Sequence, residues 1–286
     1  MLRGQRKADT SLFGVRFFVW IITYGGIQME ITEFTMDFFS LAGKVAIVTG
    51  GNTGIGRAFS LALAKSGANI LVPSLIDDDG TTQKIVEETG SCYVFMEVDL
   101  TEEGVPQQVI EHCVEVFGTV DVMVNCAGLY LSDELIKFDR SKWDPMLQLN
   151  LTAAFEMAHA AAKVMIPQKS GKIINICSLF SFLGGQHSPA NAAAKHGLVG
   201  LTKAYCDELA AYNIQVNGIA PGYLATDMTK KDREDPETNH RILAHVPANY
   251  WGYPADLMGA LIYLASPASN FVNGHILTVD GGYLVR

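Results

Sequence analysis

The sequence predicts an α/β protein in which a doubly wound, parallel, seven-stranded sheet carries helices on both faces. Three observations carry this expectation. From residue 44 onward, short apolar runs alternate with stretches of helical pattern, as repeated strand–helix–strand units do. Several of the runs are apolar at nearly every position, as strands are when helices cover both faces of their sheet. The first run also feeds a glycine-rich turn that opens a helix.

Taken in chain order, strands are expected at residues 44–48, 69–73, 93–98, 120–125, 172–177, 214–219 and 275–279. Helices are expected between them at 55–66, 81–88, 103–117, 150–166, 190–212 and 254–265. The helix near 190 has a start signal of its own, because Ser188 reads as its N-cap and Pro189 as its first helical residue. The polar segment 229–239, with Lys230, Lys231, Asp232, Arg233, Glu234 and Asp235, reads as an exposed insertion forming a mobile flap over the site. No repeat, low-complexity tract or linker divides residues 29–286, which are expected to form a single domain.

Residues 1–28 stand apart. Arg3, Arg6 and Lys7 precede an apolar run at 17–22, but Asp9 and Arg16 interrupt its flanks and no A-x-A site follows. The run is far shorter than the roughly 18–20 residues of a membrane span. The reading preferred is an extension, with translation beginning at Met29 or Met36. A net charge of −9 argues against nucleic acid or an anionic membrane as partner. The five cysteines (Cys92, Cys113, Cys126, Cys177 and Cys206) lack paired or metal-ligand spacing, which fits free thiols in a reducing cytoplasm.

Two groups of motifs carry chemistry. At the first strand, Thr49-Gly50-Gly51-Asn52-Thr53-Gly54-Ile55-Gly56 supplies a tight turn into a helix N-terminus, which suits a pyrophosphate. Further along come Val98-Asp99-Leu100, Asn125-Cys126-Ala127-Gly128, Leu149-Asn150-Leu151 and a Pro221-Gly222 segment ending at Thr226. The second group is Ser178, Asn191 and Lys195, with Asn191 thirteen residues after the serine and Lys195 four after Asn191. Asn191 and Lys195 then share one face of a helix.

These motifs, in this order over residues 40–286, resemble the short-chain dehydrogenase/reductases, whose fold is of the Rossmann type. The tail from Val246 to Arg286 is similar to the sugar-acid branch of that family. The resemblance implies a nicotinamide cofactor and a sugar-acid or related keto or hydroxy substrate. It implies cofactor contacts from Gly50, Asn52, Thr53, Gly54, Ile55, Gly56, Ser74, Asp99, Leu100, Asn125, Ala127, Gly128, Lys195, Pro221, Gly222 and Thr226. It also carries over three catalytic roles: Ser178 bonds the substrate oxygen, Lys195 holds the nicotinamide ribose, and Asn150 supports a proton-relay water.

The family places its proton-transferring tyrosine where this chain has Asn191. An amide donates hydrogen bonds but exchanges no proton near neutral pH. A strongly weakened oxidoreductase is therefore expected, the alternative being a non-catalytic dinucleotide binder. Replacement groups are poor: His196 points about 100° away from Lys195 around the helix, and His187, Tyr130 and Tyr223 read as wall residues. Missing basic groups at Thr53, Ser74 and Leu75, with Asp77, Asp78 and Asp79 downstream, favour NAD over NADP, although those acids could equally cap the next helix. The family commonly forms tetramers through the helices placed here at 150–166 and 190–212, and the small side chains of Ala158-His-Ala-Ala-Ala-Lys163 would allow close approach.

Overall fold

Strands of four to eight residues form one sheet. The strands are β1 (Val45–Val48), β2 (Asn69–Ser74), β3 (Tyr93–Glu97), β4 (Val122–Asn125), β5 (Gly171–Ile176), β6 (Ile214–Pro221) and β7 (Ile276–Val279). In this computed structural model, which describes residues 34–286, they pair in the order β3-β2-β1-β4-β5-β6-β7. Strands β1, β4, β5 and β6 are buried at every position, and the edge strands β3 and β7 only partly. Every pairing is parallel. Each strand begins and ends within two residues of its expected place. The strand order reverses between β1 and β4, which opens a crevice at their carboxyl ends, the usual ligand position of such sheets.

The helices are α1 (Gly54–Lys65), α2 (Thr81–Glu87), α3 (Val105–Phe117), α4 (Arg140–Leu147), α5 (Ala154–Gln168), α6 (Pro189–Leu209), α7 (Lys230–Glu234), α8 (Pro236–His245) and α9 (Met258–Ala265). Period-two alternation of the strands divides the core. Ala46, Val48, Ile70 and Val72 face Phe59, Leu63, Leu261 and Leu264 from α1 and α9. Val45, Ile47, Leu71 and Met123 face Ile110, Met157 and Met165 from α3 and α5. Ala158, Ala160, Ala161 and Ala162 are buried in that second layer, so the small-residue run packs into the chain's own core.

Three helical pieces depart from expectation. Helix α4 was not anticipated, and a π-helical turn (Gln148–Ala153) joins it to α5. The polar segment 229–239, expected as an exposed flap, is helical. It forms α7 and the start of α8, with the Asp235 carboxylate accepting from Thr238 N at 3.0 Å and Pro236 at the first helical position.

Residues Phe39–Arg286 form one compact unit. The expectation for residues 1–28 lies outside the described residues. Among the described residues, no helix is long and apolar enough to cross a membrane.

One buried charge gives a stability test. Lys172, on β5, is 8% exposed and meets Asn270 Oδ1 at 2.9 Å and Ser269 Oγ at 3.3 Å, with no carboxylate beside it. Burial pulls its ammonium from 10.5 down to about 8. Between those two values the unfolded chain binds the extra proton, so stability rises as pH rises through the window. Below about 8 both states carry the proton, and the folded state bears the full cost of burying it. Lys172→Met is therefore expected to stabilise the protein by about 1–3 kcal/mol at pH 7 and to flatten the rise between pH 8 and 10. Urea unfolding at pH 7 and pH 10 checks this, and equal pH slopes in both proteins would contradict it.

Candidate active site

The glycine turn after β1 is close-packed at Gly51 and Gly56. Gly50 stands at φ +63°, a left-handed conformation, and a β-carbon on Gly56 would collide with the Gly50 carbonyl. Thr53 precedes α1 without capping it, so the first amide groups of that helix point outward with no side-chain partner. Thr49 ties this turn to the loop after β4, its Oγ1 accepting from Cys126 N and Ala127 N, both at 2.9 Å. An uncapped helix N-terminus behind a turn that excludes β-carbons at Gly51 and Gly56 fits a dinucleotide pyrophosphate.

The other residues expected at the cofactor divide into groups. Gly50, Asn52, Thr53, Gly54 and Gly56 lie on the turn into α1, and Ile55 reaches the cleft described below. Asn52 Nδ2 donates to Ile76 O at 2.6 Å, while its Oδ1 is buried without a partner. Ser74 is buried at the end of β2, accepting from Ile76 N at 3.2 Å. Asp99 follows β3 and accepts from Thr101 N and Oγ1 at 2.8 and 2.6 Å.

Two side chains turn inward. Leu100 belongs to the core. Asn125 donates to Ala154 O and Asn175 Oδ1 at 3.1 and 2.9 Å, and Asn175 donates in turn to Thr202 at 2.9 Å. That buried polar chain pins α6 to β4 and β5, and so places the two cleft residues α6 carries. The acids after β2 are also engaged. Asp78 accepts from Tyr93 Oη at 2.6 Å, and Asp79 accepts from Thr81 N at 2.9 Å at the start of α2.

The chemical end converges. A cleft of about 720 Å³ is lined by Ser178, Asn191, Lys195 and Asn150 together with Gly128, Pro221, Gly222 and Thr226. Asn150 sits on the π-helical turn, a distortion often found at functional sites. Its amide is fully used: Oδ1 accepts from Leu129 N at 2.8 Å, and Nδ2 donates to Leu129 O at 2.8 Å and to Asn191 Oδ1 at 3.3 Å. Asn191 is 7% exposed, and its own Nδ2 has no partner among the described residues. Ser178 Oγ accepts from Phe180 N at 3.2 Å, which leaves its hydroxyl proton free to donate. Lys195 Nζ donates to Ile176 O at 2.6 Å, and burial lowers its ammonium from the usual lysine range. Ser188 stands at the N-cap of α6 but does not cap it, because its hydroxyl donates to Leu131 O at 2.7 Å.

Other ionisable groups line the cleft beside Asn191. Burial pushes the Cys126 and Cys177 thiols, which line the cleft beside Lys195, up to about 12 and about 11 despite the lysine's opposing charge. Both remain protonated at neutral pH. Tyr130 and Tyr223 also line the cleft, and burial raises both phenols. His187 lines it at φ +63°, while His196 is exposed and bonds Ala192 O at 2.9 Å. Cys177 and Arg241 line the cleft without having been expected there, Arg241 brought in by α8, while Asp232 on α7 comes from the segment expected to lie over the site.

A family model described as enoyl-(acyl carrier protein) reductase matches residues 50–284. The uncharacterized oxidoreductase YgcW of Escherichia coli K12 is 63% identical over 257 residues, covering 90% of this chain and 98% of the relative. The 2-dehydro-3-deoxy-D-gluconate 5-dehydrogenase of the same organism is 42% identical over 253 residues, 88% of this chain and 99% of the relative. A solved structure of a putative 2-deoxy-D-gluconate 3-dehydrogenase from Agrobacterium tumefaciens, with bound NADP, superposes with a TM-score of 0.81 at 38% identity, covering 87% of this chain and 99% of that one. With its parallel sheet, its glycine turn and its converging serine and lysine, the chain belongs to the short-chain dehydrogenase/reductase family of oxidoreductases.

Proposed function

We propose that this protein is a nicotinamide-dependent dehydrogenase of sugar acids whose proton-transfer step is weakened by Asn191. The observation that carries the proposal is the convergence of Ser178, Asn150, Asn191 and Lys195 on one cleft at the switch point of the sheet. The glycine turn and the α1 N-terminus would hold the pyrophosphate, and Lys195 with the Pro221–Gly222 segment the nicotinamide end. When bound, that cofactor accepts or supplies the hydride. Ser178 donates its free hydroxyl proton to the substrate oxygen. Asn191 Nδ2 gives the same oxygen a second hydrogen bond, which polarises it but moves no proton. A positioned acid or base contributes about 10²–10⁴ in rate, and that contribution is missing at residue 191.

Sugar-acid specificity is supported by the 42%-identical gluconate-type relative. The missing basic groups at Thr53, Ser74 and Leu75 and the acids at 77–79 favour NAD, but Asp78 and Asp79 are held by Tyr93 and Thr81. The Agrobacterium relative carries NADP. The chain is therefore expected to bind NADP(H) at least as tightly as NAD(H), which parallel fluorescence titrations measure. Turnover of the unmodified chain and an Asn191→Tyr variant over sugar acids tests the whole proposal. No turnover in either, with dinucleotide still bound, would favour a binding role instead.

A homotetramer joined through α5 and α6 completes the proposal. Phe155, 44% exposed, stacks on His159 at 5.8 Å and lies 6.4 Å from Tyr205, giving these two helices an outward aromatic cluster. Light scattering should return the mass of four chains, and a single-chain mass would contradict it.

A further inference from the structure

We infer that Arg241 binds the substrate's carboxylate and so selects sugar acids over neutral sugars, an inference that rests on the sugar-acid reading above. Of the residues lining the cleft, only Lys195 and Arg241 carry a permanent positive charge among the described residues. Lys195 is committed to the floor, where its Nζ meets Ile176 O at 2.6 Å. Arg241 stands at the exposed side and makes no ion pair with any described residue.

Its helix is fixed on three sides. Asp235 caps α8, Ile242 beside Arg241 is 4% exposed, and Trp251 Nε1 donates to Asn239 Oδ1 at 2.7 Å. Arg241 lines the same cleft as Tyr223 and Gly222. The acids of the cleft reinforce the assignment. Asp133 is paired with Lys142 at 3.1 Å and Glu134 with Lys137 at 2.9 Å, while Asp232, which lines the cleft with Tyr130, makes no ion pair with any described residue. A carboxylate is repelled from Asp232 and drawn to Arg241, whereas sugar hydroxyls can donate to Asp232. The chain's net charge of −9 repels an anionic substrate as a whole, so a local cation has to offset it. Guanidinium also presents two parallel donors, matching both carboxylate oxygens.

The test uses the full chain saturated with NADP, with Trp251 fluorescence as reporter, because that ring meets Tyr223 edge-on at 5.6 Å. Gluconate and glucitol, the same carbon chain with a neutral alcohol in place of the carboxylate, are titrated into the unmodified chain, Arg241→Gln and Arg241→Lys. Arg241→Gln should weaken gluconate about ten-fold or more, as loss of a charge-assisted pair does, and leave glucitol unchanged. Arg241→Lys should recover part of the loss. The NADP affinity of every variant should stay constant, which guards against misfolding. Equal gluconate binding in Arg241→Gln, or equal weakening of gluconate and glucitol, overturns the inference and leaves the sugar-acid reading standing. Failure of the unmodified chain to bind any sugar acid overturns both.

Discussion

Asn191→Tyr is expected to raise turnover of a sugar acid by about 10²–10⁴-fold, or about 3–5 kcal/mol of barrier. The surroundings of residue 191 are already those a phenol needs. Lys195 lies one helical turn away on the same face, and its charge favours a phenolate over a phenol. Ser178 keeps a free hydroxyl proton for the substrate oxygen. The Asn150 amide remains held by Leu129 when its third partner, Asn191, is lost. The variant's oxidation rate should rise with pH through one ionisation, since only the deprotonated phenol can take the substrate's proton. The unmodified chain should lack that ionisation. A pH–rate profile of both proteins reads the difference.

Gly56→Ala should cause the second large effect, a loss. Its β-carbon meets backbone, the Gly50 carbonyl, and not the yielding tip of a side chain. The turn must open or α1 must retreat, and either shift pulls the helix amides away from the pyrophosphate. Overpacking of this kind costs about 1–3 kcal/mol in stability. Dinucleotide affinity should fall about a hundred-fold or more, because Thr53 offers no cap that could hold the α1 N-terminus in place. Thermal unfolding and a dinucleotide titration separate the two effects. Unchanged affinity would mean that the pyrophosphate does not sit on this turn.

How much of this was legible in the sequence depended on the range of the interactions involved. The strands were, because a two-sided buried strand announces itself by apolar content alone, as in β1 and β5. Helix α4 was hidden by Pro145 and by having a single buried residue, Met146, so no apolar stripe marked it. Helix α8 was legible and overlooked: Asp235-Pro236 is a cap followed by a proline at the first helical position, inside a segment read as a flap only for its charge. The π-helical turn under Asn150 leaves no mark in residue type.

Among the site residues, Ser178 and Lys195 were found by spacing, since both belong to local segments. Arg241 could not be, because its place in the cleft depends on how α8 folds back over the sheet. The acids at 77–79 were ambiguous by composition, and the hydrogen bonds of Asp78 and Asp79 to Tyr93 and Thr81 decide what those two do.

The central claim is that residue 191 governs chemistry and not binding. One comparison tests it most directly: dissociation constants for dinucleotide and sugar acid, and single-turnover rates, for the unmodified chain and Asn191→Tyr under the same conditions. Matching dissociation constants with rates about a hundred-fold or more apart are the predicted result. Equal rates in the two proteins would contradict it.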